Sequence, residues 1–158
     1  MLCNYIQLSQ RTGGYVPPSG VLKDPLDRNR SAQDNYLERL RQIPEKLVTS
    51  HVIGEITGLS TSRLKLDGAR RIAFWRASLD LLTEWSVREH LVRVADLLEV
   101  VELRGLVSEI GPTDVGLIHL ARLQRCTIIT DDEQTLAARA WSLGAECCLI
   151  AQLVLARA

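Results

Sequence analysis

Gly111-Pro112-Thr113-Asp114, then an apolar stretch, then Thr127-Ile128-Ile129-Thr130-Asp131-Asp132, is the part of this sequence on which the fold turns. Pro112 favours a helix start, because its ring presets the backbone angle and its missing N–H is not needed there. The pattern predicts a helix from about Asp114 to Leu123, with Thr113 as its N-cap. Cys126 to Thr130 is rich in β-branched residues and predicts a strand. Glu133 to Ser142 is rich in alanine and predicts a second helix, closed by Gly144 as the glycine after its end. Glu146 to Ile150 predicts a last strand. Strands and helices alternating at these spacings need right-handed crossovers and a parallel sheet, so the expected fold class is α/β. Asp114 opens a helix, and Asp131 and Asp132 close a strand. In α/β sheets ligands gather at the carboxyl ends of strands, and carboxylates placed there suit a divalent cation.

Earlier elements carry less pattern. Residues 3 to 8 read as the end of a strand, and residues 9 to 30 as a long loop carrying Gly13-Gly14 and Pro17-Pro18-Ser19-Gly20. Ser31 to Gln42 reads as a helix stopped by Pro44. Lys46 to Ser50 reads as a strand, and His51 to Leu59 as a helix carrying Glu55. Asp67 to Trp85 predicts a long amphipathic helix with Ile72, Trp75, Leu79 and Leu82 at helical spacing. Val87 to Leu98 reads as a further helix, and Glu99 to Leu103 as a strand. No linker or internal repeat divides residues 1–158, so a single domain is expected.

The chain has 158 residues, is 46% hydrophobic and carries no net formal charge. That suits a globular core and gives no whole-protein field to draw in nucleic acid. Arginine supplies 16 of the 19 basic residues, and its planar fork matches phosphate oxygens. Arg63, Lys65, Arg70, Arg71 and Arg76 form the densest basic segment, a solvated helix face or a phosphate-binding rim. Cys147 and Cys148 are adjacent and Cys3 and Cys126 solitary, so no zinc-knuckle spacing occurs; small buried thiols in a reducing compartment are expected. His51, His90 and His119 are scattered. No apolar run is long enough to span a bilayer and the first residues lack a signal-peptide pattern, so a cytoplasmic protein is expected. The tryptophans at 75, 85 and 141 sit at amphipathic-helix positions and are expected in the core.

Each acidic site has a plain structural use. Asp114 complements the helix dipole, and Thr130 through Glu133 fits a capping box with threonine as the cap. Glu55 lies among apolar neighbours. Taken together, however, clustered carboxylates repel one another, and Mg²⁺ or Mn²⁺ resolves that cost.

The ordered set Thr113-Asp114, Val115 to Ala121, Ile128-Ile129-Thr130-Asp131-Asp132, Leu136-Ala137 and Gly144 resembles the C-terminal half of a PIN-domain ribonuclease, the fold that includes VapC toxins. Val48-Thr49-Ser50 and Val52-Ile53-Gly54-Glu55-Ile56 are similar to that family's second strand and glutamate-bearing helix. The likeness is good over residues 111 to 150 and fair over 46 to 59. It implies a three-layer α/β/α fold with a central, mostly parallel sheet. It also implies an Mg²⁺- or Mn²⁺-dependent endoribonuclease that cleaves single-stranded RNA with a metal-activated water. Glu55, Asp114 and Asp132 match the family's acidic positions, with Asp131 as a near alternative. Arg70, Arg71 and Arg63 would hold the RNA backbone. A homodimer and a cognate antitoxin are partners that such relatives use. The family's first-strand aspartate has no counterpart: if Asn4 is the asparagine that comes after it, Leu2 stands in its place. Two readings result, a start lying upstream of Met1, which the three remaining acidic sites favour, or a degenerate module that binds RNA or a protein without cutting. An unrelated nucleotide-binding α/β domain is the third reading, weakened by the lack of a glycine-rich loop after any strand.

Overall fold

A computed structural model describes residue 35, residues 38–62 and residues 66–155. The expected first strand over 3 to 8, the loop over 9 to 30, and Arg63 and Lys65 lie outside them. The chain is a mixed α/β protein, and among the described residues short strands form two two-stranded sheets. It divides into two compact units, residues 1–48 with 53–88, and residues 49–52 with 89–158.

In the first unit a helical segment over 38–42 ends before Pro44, as expected, and buries Leu40. Strand β1 (Leu47–Thr49) pairs with β2 (Arg88–His90), and the division between the units falls within both strands. Helix α1 (Ser50–Ser62) buries Ile56, and α2 (Gly68–Glu84) buries Phe74 and Ser78. Asp67 caps α2, its Oδ1 accepting from the Arg70 backbone N–H at 3.0 Å. The buried Ser78 hydroxyl is satisfied by donating to the Phe74 carbonyl, 2.7 Å away. Lys46 lies 5.2 Å from the centre of the Trp85 ring and donates to the Ile43 carbonyl at 2.6 Å.

Helix α2 corrects an expectation. Of the four apolar positions read as one buried stripe, Ile72 and Leu79 are exposed, while Trp75 and Leu82 are half-buried. Two apolar faces compete along this helix. The burial of Phe74, the one phenylalanine, selects the face centred on 74 and 78.

The second unit differs from the sequence reading at its start. Residues 87 to 98 are not one helix: β2 comes first and then a short helix α3 (Val94–Glu99). Residues 99 to 103 are not a strand, since Val100 is the extended link into α4 (Val101–Ile110). The β-branched pair Val100-Val101 suggested a strand, but propensity is a weak prior. Leu97 and Leu103 are fully buried, so α3 and α4 each anchor one leucine in this unit. Arg93 and Asp96 brace the start of α3 at 2.6 Å, and the hydrogen bond from Arg93 holds the Asp96 carboxyl below the usual range.

Helix α5 (Pro112–Gln124) is the centre of this unit, packing against α3, α4 and β3 and burying Val115, Gly116, Ile118, Leu120 and Ala121. Its N-cap is Gly111, not Thr113: the backbone there has φ +90°, which favours glycine, and Thr113 is buried in the first turn. Strand β3 (Ile128–Thr130) runs parallel to β4 (Cys147–Leu149), with Ile128 beside Cys147 and Thr130 beside Leu149. Between them, Glu133–Ala137 forms a wide π-helical turn that continues as α6 (Ala138–Ser142), where one α-helix was expected. Gly144, at φ +73°, ends α6 and donates to the Trp141 carbonyl, as the sequence indicates. Helix α7 (Ile150–Leu155) begins directly after β4. Trp141 is 46% exposed, so it is not the core residue expected; its indole N–H donates to the Cys147 carbonyl at 3.4 Å.

Candidate metal centre

Two of the expected carboxylate positions belong to the second unit: Asp114 in the first turn of α5, and Asp131-Asp132 directly after β3. From Asp114 to Gln124 the helix advances about 15 Å. The chain turns at Arg125, whose left-handed backbone ends the helix, and returns along β3 packed against it. An extended chain from Cys126 to Asp131 would cover about 17 Å, a length comparable with the rise of α5 from Asp114. Asp114, Asp131 and Asp132 are all half-buried.

The end of β3 is locally fixed. Thr130 is buried, and its Oγ1 accepts from the Asp132 backbone N–H at 3.1 Å. Asp132 Oδ1 accepts from the Thr135 N–H at 2.9 Å, and the Ala137 N–H donates to the Asp132 carbonyl at 2.9 Å. The capping residue is therefore Asp132, not Thr130 as the capping-box reading had it. A carboxylate has about four acceptor directions, so this cap leaves acceptor capacity on Asp132.

Glu55 is exposed on α1 and belongs to the first unit, whereas Asp114, Asp131 and Asp132 belong to the second. Among the described residues no three or more His, Cys, Asp or Glu side chains converge as a metal-ligand set. Arg70 and Arg71 are exposed in the first turn of α2, and Arg70 also lies 3.8 Å from the Asp67 carboxylate. Mg²⁺ is commonly held by one or two carboxylates with the rest of its shell water. The hard oxygens of Asp114 and of Asp132 or Asp131 fit that demand; a site made wholly of protein ligands does not fit.

One residue beside α5 was not singled out by the sequence. The His51 ring faces α5 at Gly116: a Cβ there would lie 3.6 Å from its Cδ2 and 3.5 Å from Val92 Cγ1. His51 Nε2 is buried without a hydrogen-bond partner among the described residues. Glycine inside an otherwise apolar helix was the available signal, since it marks a close approach. The three described cysteines are free and half-buried, and burial pushes their thiols up. Among the described residues no helix is long and apolar enough to cross a membrane.

No family model, no curated protein and no solved structure matches this chain.

Proposed function

We propose that this protein is a metal-dependent endoribonuclease of the PIN type, built as a three-layer α/β/α fold and cleaving single-stranded RNA in the cytoplasm. The observation that supports the reading is that α5, which opens with Asp114, packs against β3, which Asp131 and Asp132 follow. Asp114 and Asp132 would hold Mg²⁺ or Mn²⁺, with Asp131 as the near alternative and water completing the shell. The chemistry that such an ion supplies when bound is activation of water and relief of charge on the phosphate oxygens. The Thr135 N–H fixes the Asp132 carboxylate through Oδ1, and its remaining acceptor capacity supports this reading. Arg70 and Arg71, with Arg63, would contact the RNA backbone through phosphate oxygens. A cognate antitoxin as partner belongs to the same proposal.

A second reading has its own support. In a non-cutting PIN-like module Asp132 would serve only as the cap that it already is. Cleavage of a single-stranded RNA by the chain in Mn²⁺, beside Asp114→Ala, separates the two. Mn²⁺-dependent cutting that Asp114→Ala abolishes supports the nuclease. RNA retention without cutting supports the module, and cutting that survives Asp114→Ala refutes the assignment of this site.

A further inference from the structure

Asp67-Gly68 is the one Asp–Gly step in the sequence, which has no Asn–Gly step. At such a step the carboxyl group and the next peptide nitrogen can close a succinimide ring, and glycine puts no Cβ beside that nitrogen. Every other aspartate is followed by a residue with a side chain. The structure adds three observations. Asp67 and Gly68 are both exposed, the Asp67 side chain at 66%. Among the described residues, and apart from the backbone of its own helix and its chain neighbours, no atom lies within 4 Å of where a Cβ on Gly68 would stand. The step also opens α2: Asp67 Oδ1 accepts from the Arg70 N–H at 3.0 Å, and the Asp67 carbonyl accepts from the Arg71 N–H at 2.8 Å.

We propose that Asp67 is a site of covalent self-modification, converting to isoaspartate and thereby undoing the start of α2. The Gly68 nitrogen attacks Cγ of the protonated Asp67 carboxyl group. The N–Cγ bond forms, the nitrogen gives up its proton, and one carboxyl oxygen leaves as water. Water then reopens the ring. Addition at Cγ restores aspartate. Addition at the main-chain carbonyl carbon leaves Gly68 joined through Cγ, which is isoaspartate. Nothing is oxidised or reduced, and water is the only co-reactant. The cap sets the pace, because both acceptor oxygens of Asp67 are held while the first turn stands. Helix ends fray, and each opening frees the carboxyl group to turn onto the nitrogen. The product cannot rebuild the same cap. Its backbone is longer by one CH₂, and the groups that held the Arg70 and Arg71 N–H have exchanged roles between main chain and side chain. The exposed cations Arg70 and Arg71 lie in the turn that is lost. None of Glu55, Asp114 or Asp132 takes part, so this chemistry stands independently of the nuclease reading.

Warm incubation of the whole chain at neutral pH, folded and in urea, tests it. Isoaspartate is counted by enzymatic methyl transfer from S-adenosylmethionine and placed by peptide mapping. Backbone hydrogen exchange reads the start of α2 in modified and unmodified chains separated by chromatography. Isoaspartate is expected to accumulate at residue 67 ahead of every other aspartate, and faster in urea than in the folded chain. Modified chains should exchange the Arg70 and Arg71 amides faster than unmodified ones. Gly68→Ala should slow the conversion several-fold while keeping the fold, since the added Cβ meets open space and alanine favours a helix. A folded chain that gains no isoaspartate at 67 while the urea-unfolded chain does overturns the proposal. So does conversion as fast folded as in urea, equal conversion in Gly68→Ala, or unchanged exchange at Arg70 and Arg71 after modification.

Discussion

Substituting Asp132 by alanine and by asparagine separates the two duties this carboxylate can have. Its Oδ1 accepts from the Thr135 N–H at 2.9 Å, at the start of the turn that leads into α6. Removing a side-chain cap of this kind costs about 1 kcal/mol, whereas asparagine caps nearly as well as aspartate. In a chain of this length 1 kcal/mol moves the melting temperature by roughly 2–4 °C. Asp132→Ala should therefore melt lower than wild type by about that amount without metal, and Asp132→Asn within about 1 °C of wild type. Adding Mn²⁺ probes the other duty. A ligand at about 100 times its dissociation constant stabilises the native state by about 2.7 kcal/mol. If Asp132 holds the ion, Mn²⁺ raises the wild-type melting temperature and leaves both variants where they were. The assay is thermal unfolding monitored by circular dichroism with and without Mn²⁺. Equal melting of Asp132→Ala and Asp132→Asn without metal would refute the capping argument. Equal Mn²⁺ shifts in wild type and Asp132→Asn would refute the metal argument while leaving the cap intact.

Three further outcomes rest on the packing. Phe74→Ala, at a side chain only 1% exposed, should destabilise the first unit by about 3–5 kcal/mol in urea unfolding, and a loss under 1 kcal/mol would contradict its place in the core. Gly111→Ala should cost about 1 kcal/mol or more although a Cβ there meets nothing within 4 Å, because the strain lies in the φ of +90°; a neutral result would refute that backbone. Cys126, Cys147 and Cys148 bind their protons more tightly folded than unfolded, so at pH 8 iodoacetamide should label them more slowly in the native chain than in urea. Their contribution to stability is complete below the unfolded thiol pKa and is lost as pH rises through the raised folded values; equal labelling rates would contradict the half-buried placement.

What the sequence conveyed best is the stretch from Gly111 to Leu149. There local signals agree with one another: proline at a helix start, β-branched residues in β3, glycine after α6. The capping residues on either side were each misplaced by two positions, Gly111 for Thr113 and Asp132 for Thr130, because threonine is a plausible cap in both places. The region from Val87 to Leu103 misled for the opposite reason. Its valines and leucines fit either a helix or a strand, and the burial of Leu97 and Leu103 decides between them, which no short window records. Helix α2 was located correctly but its inward face was not, since Ile72 and Leu79 carry as much apolar character as the residues that are buried. Of the candidate site, the places of Asp114 in the first turn of α5 and of Asp131-Asp132 after β3 were readable from local pattern. The tuck of His51 against Gly116 was not, because it depends on a contact between residues 65 positions apart.

The wide turn over Glu133–Ala137 bears on how this chain tolerates changes of length. A π-turn holds one residue more than an α-turn would across the same rise, so it absorbs an extra residue without rotating α6 behind it. With the turn at its present length Ala140 is buried and Trp141 lies outside, beside the Cys147 carbonyl. Deleting Gln134, exposed in the middle of the turn, should tighten it to an ordinary α-helix and leave α6 in phase. A deletion within α5, which is buried on nearly every side and has no such slack, would swing Ile118 and Leu120 out of the core by about 100°. Length variation is therefore absorbed immediately after the acidic end of β3 and refused in the helix that faces it.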